Sequence, residues 1–126
     1  MTIQTPPDPT AAETAKHLPA AITRYLREAD PQHKANAHDF LSAFATDATV
    51  IDDGNTYRGS AAIERWLDRA ATEYTYTTEL THTQKTDTAH YIATHHLEGD
   101  FPGGTIDLHY RFTLRDDLIE HLVIEP

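Results

Sequence analysis

Ile106, Leu108, Tyr110, Phe112 and Leu114 alternate without a break with Asp107, His109, Arg111 and Thr113. Successive side chains of a strand point to opposite faces, whereas a helix would scatter these apolar residues around its whole circumference. The run is therefore a half-buried strand, and it needs other strands beside it. Candidates flank it. Tyr74 to Gln84 is dense in β-formers and alternates, His90 to Glu98 is a second long strand, and Leu118 to Ile124 closes the set. Lys85-Thr86-Asp87, Gly99 to Gly104 and Arg115-Asp116-Asp117 supply the turns between them.

The chain before these strands has a different period. Leu18, Ala21, Ile22, Tyr25, Leu26 and Ala29 follow the spacing of an amphipathic helix, with Pro19 in its first turn and Arg24, Arg27 and Glu28 on the far side. Asp30-Pro31 ends it and starts a second helix carrying Ala37, Phe40, Leu41 and Phe44 on its apolar face. Ser60 is the expected N-cap of a third helix marked by Ile63, Trp66, Leu67, Ala70 and Ala71. Between the second and third helices, Thr46 to Gly59 reads as a short strand, a turn at Asp53-Gly54-Asn55 and a return arm. Strand parity puts Ala48, Val50 and Asp52 on one face and Thr49, Ile51 and Asp53 on the other. One carboxylate thus shares a face with small apolar residues. Helices first and an antiparallel meander afterwards define an α+β class. Residues 1–16 lack periodicity and read as a flexible tail, leaving 17–126 as a single domain.

Composition narrows the function. A formal charge of −10 lacks the basic footprint that phosphate backbones require, so nucleic acid is not an expected partner. No apolar run approaches the roughly 18 residues of a membrane span, and the N-terminal stretch lacks the basic start and apolar core of a secretory signal, so a cytoplasmic location is expected. With no cysteine, disulfides and thiolate chemistry are excluded. The chain has 9 histidines. His95 and His96 are neighbours in a strand and face opposite ways, and no His-Glu-x-x-His pattern occurs, so neither a metal nor another cofactor is expected. His95 or His82, facing inward, is a candidate second acid or base.

Phe44-Ala-Thr-Asp-Ala-Thr-Val-Ile-Asp52, the Tyr57-Arg-Gly59 pattern with Ile63 and Trp66, and Phe112-Thr-Leu-Arg-Asp-Asp-Leu-Ile-Glu120 together resemble the nuclear transport factor 2-like superfamily, over about residues 18–126. The resemblance implies a cone-shaped half-barrel, with three N-terminal helices packed on a curved antiparallel or mixed sheet. It also implies a SnoaL-like small-molecule pocket, on a fold that serves ketosteroid isomerases, polyketide cyclases, epoxide hydrolases, dehydratases and proteins without chemistry alike. Against ketosteroid isomerases, Asp52 falls on the general base, Tyr25 on the oxyanion-hole tyrosine and Tyr110 on the second oxyanion donor. Phe44 and Leu67 stand where supporting tyrosines occur in some isomerases.

A carboxylate facing an apolar cavity is a stronger base, and a tyrosine beside it can stabilise an enolate. The expected substrate-lining residues are Phe44, Trp66, Tyr74, Tyr76, His95 and Leu108. Two readings stay open. One is an isomerase or cyclase in which Asp52 takes a proton beside a carbonyl of a small apolar, aromatic or ketone-type ligand. The other is a non-catalytic ligand-binding or dimeric accessory domain. Asp107, His109 and Arg111 project from the opposite face, where the fold implies a homodimer contact. Epoxide hydrolysis is set aside because Arg111 and Tyr110 cannot both face inward with Asp52.

Overall fold

The computed structural model describes residues 18–30 and 37–126. Along the chain these form α1 (Ala20–Ala29), α2 (Ala37–Leu41), β1 (Phe44–Asp52), β2 (Asn55–Arg58), α3 (Ser60–Glu73), β3 (Tyr76–Lys85), β4 (His90–Gly99), β5 (Thr105–Arg115) and β6 (Leu118–Glu125). The residues expected to form the tail, and the Asp30-Pro31 start of the second helix beyond Asp30, lie outside the described part. One 6-stranded sheet runs in the order β2-β1-β6-β5-β4-β3. β3 to β6 form the antiparallel meander, while β1 joins β6 in parallel and pairs with β2 as a hairpin. The helices cover the concave face. Ile22, Tyr25, Phe40, Val50, Ile63, Phe112, Ile119 and Leu122 make the core between the layers.

The parity of β1 is as the alternation requires, with Ala48 and Val50 fully buried on the core face that Asp52 shares. The hairpin after it turns through Asp53 (φ 52°) and Gly54 (φ 76°), both left-handed, between the paired residues Asp52 and Asn55. This is the two-residue turn whose twist suits a hairpin, so the positive φ falls on Asp53 rather than on Asn55.

Three local expectations are corrected. Phe44 is the first residue of β1 and not the last of the second helix, although its ring still enters the core. Ser60 is the first residue of α3, and the N-cap is Gly59 at φ 85°, with no side-chain cap bond. Arg58 is still paired with Thr49, so the chain must turn from strand to helix within one residue, in a conformation that L side chains rarely adopt. Glu28, expected on the solvent side of α1, is buried. It stands three residues after Tyr25 and seven after Ala21, on the same stripe.

Gly99 ends β4 opposite Tyr76, the first residue of β3. A Cβ there would collide with the Thr75 carbonyl oxygen and come within 2.6 Å of the Tyr76 Cβ. Backbone on both sides leaves little room to yield. Gly99→Ala is expected to destabilise the fold by about 1–3 kcal/mol, read as a lower midpoint in urea unfolding.

Candidate functional site

The apolar stripe of α1, the inner face of β4 to β6, the end of β1 and one side of α3 enclose a cavity of about 470 Å³. That volume lies within the range of small-molecule sites. Tyr25 and Tyr110 reach it from helix and sheet, Leu97, Ile106, Leu108 and Ile124 form apolar wall, and Trp66 and Leu67 come from α3. Tyr74, Tyr76 and Phe101 stand at the mouth, where the Tyr74 and Phe101 rings meet edge to face at 6.0 Å.

Asp52 also lines the cavity. The indole Nε1–H of Trp66 donates to its Oδ2 at 2.9 Å. Burial raises the Asp52 pKa from the ordinary carboxylate value; the Trp66 hydrogen bond opposes this, the charges of Asp53 and Glu73 add to it, and the Arg69 charge opposes it weakly. The result is a half-buried carboxylate, fixed in direction through one oxygen, whose other oxygen has no partner among the described residues. A smaller, polar depression of about 250 Å³ lies beside Asp52, lined among others by Asp53, Tyr57, Arg69 and Glu73. Arg69 there donates to the Tyr57 hydroxyl and lies over the Tyr57 ring.

Tyr25 is 2% exposed, packed among Phe40, Phe44, Phe112 and Tyr110 with ring centroids 5.5 to 6.2 Å away. Neither its hydroxyl nor that of Tyr110 has a hydrogen-bond partner among the described residues. Burial first, then neighbouring tyrosines and the Asp52 charge, raise both phenol pKa values. Both stay protonated at neutral pH and are available as donors to a ligand oxygen.

Seven of the sequence-derived site residues, Asp52, Tyr25, Tyr110, Trp66, Tyr74, Tyr76 and Leu108, line this one cavity. Phe44 and His95 do not. Phe44 lies behind Tyr25 in the core, where the turn after α2 delivers it. His95 sits on the concave face, paired across the sheet with Leu80 and Leu108, but at 7% exposed it is covered. Its Nδ1 bonds the Thr78 hydroxyl at 2.9 Å, its ring meets Tyr110 edge to face, and its Nε2 is buried without a partner. His82 is exposed, because a bulge between Leu80 and His82 reverses the parity of β3 and pairs His82 with Thr94 on the convex face. The polar residues missed by sequence reasoning are acidic. Glu28, Asp30, Asp53 and Glu73 all line the cavity. For Glu28 the helical stripe carried the signal; for the other three, at turns and element ends, the sequence carried none. Among the described residues, no group of three or more His, Asp or Glu gathers as a metal site.

Burial depresses the His95 pKa to about 4. The native state then binds fewer protons than the unfolded chain between about pH 6.5 and 4, so the stability linked to His95 is complete above that window and is lost on acidification through it. The loss is on the order of 3 kcal/mol. Denaturation midpoints measured from pH 7 to pH 4.5 should fall more steeply in the parent than in His95→Gln. Trp66→Phe removes the only donor to Asp52 among the described residues. The Asp52 pKa is expected to rise further, as read by carboxyl carbon NMR.

No family model matches the chain, and no curated protein matches it. Solved structures do. A candidate polyketide cyclase from Sinorhizobium meliloti superposes with TM-score 0.79 at 28% identity, over 88% of this chain and 98% of that one. A protein with a ketosteroid isomerase-like fold from Catenulispora acidiphila, in complex with trimethylamine, gives TM-score 0.72 at 17% identity, over 86% and 85%. TerC, co-crystallised with polyporic acid, gives 0.67 at 16%, over 83% and 89%. Element order, sheet topology and these likenesses agree: the chain has the nuclear transport factor 2-like fold, the fold of SnoaL-like and ketosteroid isomerase-like proteins.

Proposed function

We propose that the protein is a small-molecule isomerase or cyclase in which Asp52 removes a proton from carbon next to a carbonyl. One observation carries this reading: a half-buried carboxylate of raised pKa, aimed by Trp66 into a cavity lined by two tyrosines whose hydroxyls have no partner among the described residues. Asp52 takes the proton, and the electron pair moves onto the carbonyl oxygen as an enolate. Tyr25 and Tyr110 donate hydrogen bonds to that oxygen, where they are most effective as its charge grows. Asp52 then returns the proton to another carbon of the same ligand, or ring closure consumes the enolate. Apolar walls exclude water from the intermediate. The ligand class is a compact, largely apolar or aromatic ketone; that the fold holds small organic ligands is supported by two structural neighbours, one in complex with trimethylamine and one with polyporic acid.

A second reading has its own support. Tyr25 is backed by Phe44 and by no hydroxyl among the described residues, so its orientation rests on packing alone. A protein that binds without turning over needs no more than this. In either reading the convex face, where Arg111 pairs with Glu125 and His96 with Asp107, is the surface proposed for a homodimer.

The readings separate on Asp52→Asn. With an enolisable ketone in deuterated water, the variant is expected to incorporate deuterium about 10²–10⁴-fold more slowly than the parent while still binding the ketone. Parent activity should fall as pH drops through the raised Asp52 pKa and reach a plateau above it. Equal exchange by both proteins would retire Asp52 as the base.

A further inference from the structure

Among the described residues, the charged side chains that line the cavity have one sign. Glu28, Asp30, Asp52, Asp53 and Glu73 line it, and among the described lining residues there is no lysine, arginine or histidine. Glu125 is also at the wall, but Arg111 holds its carboxylate on the convex side at 2.6 Å. Glu28 is paired with Arg27 at 3.5 Å. Arg69, at the adjoining depression, bonds the Tyr57 hydroxyl and stacks on its ring; its charge also reaches Asp52, but as the smallest of the influences on that carboxyl. Asp53 and Glu73 at the rim would by themselves be ordinary solvated acids. Asp52 is not ordinary, because it is half-buried and both of those acids act on it.

The uncharged wall points the same way. Trp66, Tyr74, Tyr76, Phe101, Tyr25 and Tyr110 all present rings to the cavity. Aromatic faces attract cations, most strongly where water is excluded. Below them Tyr25, 2% exposed, turns to the same space a hydroxyl with no partner among the described residues, so the cavity is built for a polar occupant as well as an apolar one. An anion would meet repulsion on entry. A neutral ligand would leave Asp52 charged, desolvated and half-satisfied, whereas a cation would compensate it.

We infer that the cavity selects an organic cation, a tertiary or quaternary amine with an apolar or aromatic body, its charged head among the rim acids and rings and its polar end toward Tyr25 and Tyr110. This rests on the reading of the cavity as a small-molecule site and names the ligand class within it. Combined with Asp52 as base, the substrate class is an amine-bearing ketone.

Trp66 is the single tryptophan of the chain, so its indole N–H resonance reports occupancy without ambiguity. The probes are 3-hydroxyphenyltrimethylammonium and its neutral isostere 3-tert-butylphenol, titrated into the full chain. The cation is expected to bind at least tenfold more tightly, and added salt should weaken the cation alone. Glu73→Gln, at an exposed position, should reduce the preference for the cation, as should Asp52→Asn. Equal or tighter binding of the phenol overturns the inference, as does an indole resonance that neither probe moves at millimolar concentration. Deuterium exchange into ketones is read separately. Its absence alongside a cation preference retires the base and leaves this inference standing; exchange without that preference does the reverse.

Discussion

The hydrogen bond from Trp66 to Asp52 ties the site together. It joins the middle of α3 to the last residue of β1, so the helix is locked over the end of the sheet where the cavity opens. It can form only because three local features agree. The parity of β1 turns Asp52 inward, the Asp53-Gly54 turn ends the strand immediately after it, and Gly59 swings the chain so that α3 returns across the same strand. A half-buried carboxylate without a donor would be costly, and a buried indole N–H without an acceptor equally so. Each satisfies the other, and the pair leaves one carboxylate oxygen unpartnered among the described residues.

The sheet divides its polar groups by face. On the convex side, His96 lies between Asp107 and Glu98, Arg111 bonds Glu125, and Arg115 bridges Asp47 and Glu120. These pairs are exposed and individually contribute little to stability. Asp107 and Glu98 nevertheless raise the His96 pKa from its ordinary value. On the concave side, tyrosine hydroxyls and carboxylates face the cavity. The same fold thus keeps oppositely charged pairs together on one face and turns acids and tyrosine hydroxyls, with no described cation among the lining residues, toward the cavity on the other, an arrangement expected of a binding site.

Much of this was legible in the residues. Alternation in β5 and β1 and the stripe of α1 place Asp52, Tyr25 and Tyr110 on inward faces, because each element is regular where those residues lie. The failures occur where regularity breaks. His82 moves to the convex face because one extra residue in β3 inverts every position after it, and no residue in Leu80-Thr81-His82 announces a bulge. Ser60 has the chemistry of a cap, but the turn needed a residue free of Cβ one position earlier. Glu28 was assigned by its charge when its spacing should have ruled. Phe44 was read by helical period although the helix had already ended. The contact between Trp66 and Asp52 spans two elements of different period, so no local pattern contains it.

The parallel pairing of β1 with β6 has a kinetic consequence. β3, β4, β5 and β6 follow one another through short turns, so their ladders close small loops. β1 must instead find a strand at the far end of the chain, matching Asp52 to Ile124, and it can do so only once that strand is in place. The cavity lies on this late seam, with the base on one strand and part of the apolar wall on the other. The meander would therefore exist as a scaffold before the site does, and partial opening of the native protein at this seam would dissolve the site while most of the sheet persists.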